Sequence, residues 1–522
     1  MTDRLIVATS VSGPDDADAI LVRDGRIAAV GREQQLDDGS RPVERHVGVI
    51  TPAFCDAHLH PVGYASVLHR PSLMNAAGFD EVADILAAAA AASPEGSAVT
   101  AMRLNDETLA EACLPDRHLL DRAVPDRPVF VVRYCGHVAV ANTRALEMAG
   151  IGPDTPDPEG GSIDRDERGM PTGILRETAN EIVSGALADL APPVTREHLI
   201  EAAASLASLG LASVGGIVDI REGCWSGAAS ELDALIDAAP DLPIRVGALV
   251  VAHTPEELEE AARRLAEAGP MVGFLGLKAF ADGSFGGHTA AMAAPYADRA
   301  DRCGTHRLEP AWGHRMAWAA LRLGGRVAIH AIGDAANGRV LDVMERLIDE
   351  GADPAMLRIE HASVLTDDDL ARFGRLGITA VVQPAFLASE ADWLETRVGP
   401  ERLSRTYAFR SLRDAGVPLA GSSDCPVEPP HPLWGMAAAR DRCGLVPEQA
   451  LPAGAAHDLF TSGAAAAIGE SRSLEPGSAA DLVVIDGDPI RLAADGLRDA
   501  RVVATYVDGS PVRFPQIAPW PD

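Results

Sequence analysis

The stretch Arg326-Val327-Ala328-Ile329-His330, then 338–350, then Leu357-Arg358-Ile359-Glu360-His361 reads as strand, helix, strand. The outer segments are short apolar runs, and the middle one carries apolar residues at helical spacing. Outward from this unit the alternation continues. Further apolar strand candidates lie at 49–54, 212–217, 244–250, 274–280, 378–382 and 418–422, with amphipathic stretches such as 256–268 between most of them. Eight strands with intervening helices predict an α/β fold, a (β/α)8 TIM barrel. A doubly wound open sheet shares that periodicity.

The chain ends read differently. Segments 19–22 and 26–30 flank Arg23-Asp24-Gly25, and the Asp-Gly step signals a hairpin. Segments 481–485 and 501–507 end in Asp486-Gly487 and Asp508-Gly509. Short β segments cannot each bury a face alone, so 1–48 and 470–522 are expected to form one composite β-sandwich domain around a barrel at 49–469. About 150 residues separate the first two barrel strands, far more than a βα unit needs. Residues 64–209 are therefore expected to form an inserted subdomain on the active-site face, with a strand at 128–134 and a Gly/Pro/Asp-rich loop at 150–173.

Composition narrows the function. The 522 residues carry 76 acids against 45 bases, a net charge of −31, which excludes the basic footprint of a nucleic-acid binder. The longest strongly apolar run, 85–92, is too short to span a bilayer, and no secretory signal is visible. Seven scattered cysteines without a CxxC pair fit free thiols in a reducing compartment, so a cytoplasmic location is expected. A homodimer is the base-rate expectation for assembly. Lys278 is the only lysine, against 44 arginines. An ionic role could be filled by Arg, as it is elsewhere, but only Lys reacts as a neutral amine.

Several residues at predicted strand ends can carry chemistry. His58-Leu59-His60 follows the first strand, and residues i and i+2 point to one side. Lys278 lies near the end of the fourth, His330 ends the fifth, His361 ends the sixth, and Asp424 follows the eighth. Each has a bland reading: polar strand ends, a lysine paired with a carboxylate such as Asp282, structural histidines, a helix N-cap at Asp424. Together they occupy the face where barrel enzymes place catalytic groups. Four imidazoles, an aspartate and a lysine that CO₂ could carboxylate make a nitrogen and oxygen donor set suited to zinc.

The fuller strings Thr51-Pro52-Ala53-Phe54-Cys55-Asp56-Ala57-His58-Leu59-His60, Lys278-Ala279-Phe280-Ala281-Asp282-Gly283-Ser284, His330-Ala331-Ile332-Gly333-Asp334-Ala335 and Gly421-Ser422-Ser423-Asp424-Cys425-Pro426-Val427-Glu428-Pro429 resemble the amidohydrolase superfamily. They look like its YtcJ-like branch, which includes N-substituted formamide deformylases, and the resemblance covers nearly the whole chain. It implies that His58 and His60 hold one metal with Asp424, that His330 and His361 hold another, and that carboxylated Lys278 bridges them. The implied cofactor is a divalent metal, zinc by donor type, one or two ions per chain. Arg133 and His137 match a stretch that reaches the pocket in this branch, where His137 would contact the substrate carbonyl; a packed histidine is the other reading of His137. The implied reaction is hydrolysis of a C–N bond in an amide or formamide-type small molecule, by metal-activated hydroxide with Asp424 as proton shuttle. A heterocycle deaminase on the same fold is the alternative, as is a catalytically silent binding or regulatory homologue.

Overall fold

A computed structural model describes residues 3–13, 16–134, 136–158, 161–223 and 227–514. Cys135, within the predicted pocket stretch, and residues 159–160 of the predicted loop lie outside the described residues.

Eight parallel strands form the centre. They are β1 (Phe54–Leu59), β2 (Leu211–Asp219), β3 (Arg245–Val251), β4 (Val272–Phe280), β5 (Arg326–Ala331), β6 (Leu357–His361), β7 (Thr379–Val382) and β8 (Leu419–Gly421), hydrogen-bonded in chain order. No ladder joins β8 to β1. Closure comes just beyond the strand ends, where Asp424 N donates to His58 O at 2.9 Å and His60 N donates to Cys425 O at 2.7 Å. The buried Asp56 carboxylate reinforces it by accepting from Ser423 N at 3.0 Å. The protein is a TIM barrel, with helices such as Pro255–Glu267, Pro310–Arg322 and Asp334–Asp349 outside it.

Alternation along each strand sorts the side chains. Leu277, Ala279, Val327, Ile329, Leu357 and Ile359 pack outward against the helices. Cys55, Ala57, Ile217, Leu249, Leu275, Ala328, Val381 and Ala420 fill the interior, above a plug made by Ala464, Ala467 and Ile468. The interior is thus packed below and open only at the C-terminal ends of the strands.

The predicted first strand at 49–54 divides between two sheets. Val49–Pro52 pairs antiparallel with Leu482–Ile485 in the chain-end sheet, and Phe54 begins β1. The apolar run is continuous, and only the change of pairing partner at Ala53 breaks it. The chain ends form a five-stranded sheet and a four-stranded sheet. Ile6, Ile20 and Ile27 from one and Ile50, Leu482, Val484 and Tyr506 from the other share one core, so the two sheets make a sandwich. Its hairpin turns at Asp24 (φ 47°) and Gly25 (φ 75°), the left-handed pair that such two-residue turns require.

The long connection after β1 contains a five-stranded mixed sheet, from Val99–Leu104 to Pro171–Glu177. Helices cover both faces, Phe79–Ala92 and Arg117–Ala123 on one and Thr143–Met148 and Thr178–Ala186 on the other. The stretch 150–173 is not all loop: Gly161–Arg165 is a strand paired with Pro171–Glu177. Among the described residues no helix is long and apolar enough to cross a membrane.

Candidate metal centre and substrate cavity

At the open end of the barrel, His58 Nε2 lies 3.0 Å and His60 Nε2 3.3 Å from the same oxygen, Asp424 Oδ1. Donor atoms of His58, His361 and Asp424 all fall within 4.8 Å of one another. Lys278 Nζ stands 3.5 Å from His58 Nε2. The His330 ring lies 4.4 Å from that of His361, centroid to centroid. The structure therefore brings all six predicted residues to one place, with His361 grouped with His58 and Asp424.

Each is aimed by its backbone. His330 follows interior Ala328 by two residues, so alternation suffices. Lys278 reaches the interior because the β3–β4 register shifts at Gly276. His361 does not follow alternation, which would send it outward with Leu357 and Ile359. A left-handed backbone at His361 (φ 70°) turns it inward, and Asp424 (φ 57°) is set the same way. Non-glycine residues rarely adopt this region, and such strain concentrates at functional sites.

A second ring of side chains orients the first. Glu360 Oε2 lies 2.5 Å from His58 Nδ1, and Gln383 Oε1 lies 2.8 Å from His361 Nδ1. Acceptors at Nδ1 hold the proton there and leave the Nε2 lone pair facing the site. His330 is turned the other way, since its Nε2 lies 3.0 Å from Gly283 O. Glu360 is itself held by Arg358, whose Nε and Nη2 donate at 2.6 and 2.8 Å. Burial would raise the Glu360 pKa, but Arg358 and His58 hold it well below the usual range. Burial pushes the Lys278 amine down to about 8 against the pull of the Glu360 and Asp424 carboxylates. The alternative pairing of Lys278 with Asp282 is not observed. Asp282 instead accepts backbone N–H groups from Ala291, Ile332 and Gly333 at 2.8 to 3.0 Å.

This donor set fits a divalent cation. Asp424 Oδ1 is buried and accepts no hydrogen bond, yet two imidazole nitrogens face it. With the His58 proton on Nδ1, a lone pair meets a carboxylate oxygen, which is repulsive unless a cation stands between them.

The cluster forms the floor of a cavity of about 560 Å³. The inserted subdomain supplies one wall, with Arg103, Tyr134, His137, Glu177 and Asn180, and the ends of β2 and β3 with the turn after β3 supply another, with Asp219 and His253. His137 lies beside His330, ring centroids 5.4 Å apart. A recess of about 30 Å³ opens off the same histidines, walled by Phe285, Phe386, Tyr407 and the buried Glu390 and Glu428.

Sequence reasoning did not find Glu360, Arg358, Gln383, Glu177 or Arg307. The signal for the first two was present: an acid and a base at alternate positions of a short strand, on the opposite side from Leu357 and Ile359.

A (β/α)8 barrel with a chain-end sandwich and histidines converging at the strand ends defines a class. The chain belongs to the amidohydrolase family, whose pattern matches residues 48–513. Within it, the chain is 30% identical to YtcJ of Bacillus subtilis, an amidohydrolase by name, over 96% of this chain and 97% of that one. It is equally 30% identical to the N-substituted formamide deformylase of Arthrobacter pascens, over 98% of each chain. A solved structure described as an uncharacterized metal-dependent hydrolase from Pyrococcus horikoshii superposes with a TM-score of 0.74 at 28% identity, over 95% of this chain and 99% of that one.

Proposed function

We propose that the protein is a metal-dependent hydrolase that cleaves the C–N bond of a small amide, of the formamide type. The observation that carries this reading is the buried Asp424 Oδ1, faced by two imidazole nitrogens and bonded to neither. The expected ligands are His58, His60, Lys278, His330, His361 and Asp424, and zinc suits their nitrogen and oxygen donors. When bound, the metal lowers the pKa of water and polarises the substrate carbonyl. Asp424 takes the proton from the attacking water and passes it to the departing nitrogen, which cannot leave as an anion. His137 meets the carbonyl oxygen from the wall above. Lys278, buried and reactive as a neutral amine, is the expected site of carboxylation, and as a carbamate it would help hold the metal. The unequal compartments suit an unequal substrate: the 30 Å³ recess takes a small acyl group and the 560 Å³ cavity a bulkier amine. We place the enzyme in the cytoplasm as a homodimer.

A second reading, a heterocycle deaminase working on one ion, draws support from the grouping of His361 with His58 and Asp424 in a single cluster. Metal analysis of the purified protein, with turnover of N-formyl, N-acyl and cyclic amides against a chelated control, separates the two. Two equivalents of metal and release of amine from N-formyl or N-acyl amides are expected. One equivalent with ammonia released only from ring substrates overturns the amide reading.

A further inference from the structure

Strand Pro171–Glu177 ends at the cavity in a residue with no part in the chemistry above. Glu177 has φ 53° and ψ −126°, a backbone that a non-glycine residue keeps only when its surroundings over-determine it. Several features fix its carboxylate. Its backbone N–H donates to His137 O at 2.8 Å. Its Oε2 lies 2.9 Å from His137 Nδ1 and accepts from Arg307 Nη1 at 3.0 Å. Arg307 is anchored in turn by Glu181 Oε1 at 2.8 Å, and its guanidinium lies 5.3 Å from the Phe280 ring centre. The other oxygen, Oε1, occupies the space beside Gly283, where a Cβ would stand 2.2 Å from it. Gly283 thus acts on two imidazoles that face each other. Its carbonyl meets His330 Nε2, and its missing side chain makes room for the carboxylate at His137.

We propose that Glu177, held by Arg307 and by the space at Gly283, is the positioning residue of His137: it accepts from Nδ1–H and so turns a protonated Nε2 to the substrate carbonyl. The proposal rests on the reading of His137 given above. The carboxylate is suited to the task because it stays ionised. Burial would raise its pKa, but His137 and Arg307 hold it down to about 2. A carboxylate that orients a catalytic imidazole through Nδ1 does not touch substrate, so its loss weakens turnover more than binding.

The test uses full-length, metal-loaded protein with ¹⁵N-labelled histidine, in wild type, Glu177→Ala, Glu177→Gln, His137→Ala and the double variant Glu177→Ala/His137→Ala. His137 in the wild type is expected to show both ring nitrogens protonated, and Glu177→Ala to lose that doubly protonated state. With an N-formyl or N-acyl amide, kcat of Glu177→Ala is expected to fall about 100-fold with KM nearly unchanged. The double variant is expected to be no worse than His137→Ala, because the two residues act as one unit. Glu177→Gln keeps the volume and is expected to show a smaller loss of the same kind, which serves if the alanine variant does not fold. An unchanged His137 spectrum, an unchanged kcat, or additive losses in the double variant would overturn the proposal. If wild-type protein turns over no amide, the hydrolase reading fails, and the ¹⁵N spectrum of His137 alone then decides the role of Glu177.

Discussion

Two charge clusters, one half-buried and one buried, occupy opposite ends of the barrel, and they are built on opposite plans. At the N-terminal end Arg245 opens β3 and reaches three carboxylates, Glu470 and Asp508 at 3.1 Å each and Asp481. Arg472 closes the group on Glu470 at 2.7 Å and Asp481 at 2.9 Å. Every charge there faces an opposite one, and the cluster ties the barrel to the chain-end sheet. At the C-terminal end imidazole nitrogens, an amine and a carboxylate oxygen converge without pairing off. The first cluster spends its charges on each other and can only hold. The second leaves a buried oxygen and several lone pairs uncommitted among themselves, and so can bind a cation and move a proton. Buried charge alone does not mark a site; buried charge whose partners do not satisfy it does.

Substitutions at the two ends should separate along this line. Asp424→Asn removes the proton carrier with little change of shape. Turnover is expected to fall about 1,000-fold while the thermal midpoint of the apo-protein stays near that of the wild type; wild-type-like rates would refute the role of Asp424. Asp481→Ala leaves Arg245 and Arg472 each short of a buried partner. It is expected to cost about 3–5 kcal/mol of stability, read from denaturant midpoints, with activity per folded molecule preserved at 25 °C. A variant that kept full stability would show the seam to be incidental. Glu360→Gln lies between these outcomes, since it releases both His58 and Arg358. Metal affinity by competitive chelation is expected to drop about 10–100-fold.

The sequence made one end of the barrel far more legible than the other. His58, His60 and His330 could be placed by alternation, and Lys278 stood out by composition. His361 was found because it ends a strand, yet its inward aim depends on a left-handed backbone that no residue pattern announces. Glu360 escaped notice because a carboxylate inside a strand declares itself only when its partner, His58, is seen 302 positions away. The division of the apolar run at 49–54 was hidden for a similar reason: hydrophobicity records burial, not which sheet does the burying. The composition of Gly161–Arg165 predicts loop because Gly, Asp and Arg lack β-propensity, and backbone pairing with Pro171–Glu177 overrides it. The seam cluster was not foreseen at all, since its members lie in four separate stretches of sequence.

Acid titration gives the smallest and most discriminating contrast between the ends. Glu177, at the open end, has its pKa lowered from 4.5 to about 2. Between those values the unfolded chain binds a proton at this residue that the folded chain does not, so its contribution to stability is lost as pH falls. Asp508, at the seam, is shifted the other way, since burial raises its pKa against the pull of Arg245. From 3.8 upward to its folded value the folded chain holds the extra proton, and stability falls as pH rises. Urea midpoints at pH 5 and pH 3.5 should therefore show a shallower acid loss in Glu177→Gln than in wild type, by up to about 1.4 kcal/mol per pH unit. Asp508→Asn should steepen the same loss slightly, because it removes the opposing slope. Equal slopes in all three proteins would mean that neither carboxyl titrates differently in the folded and unfolded chains.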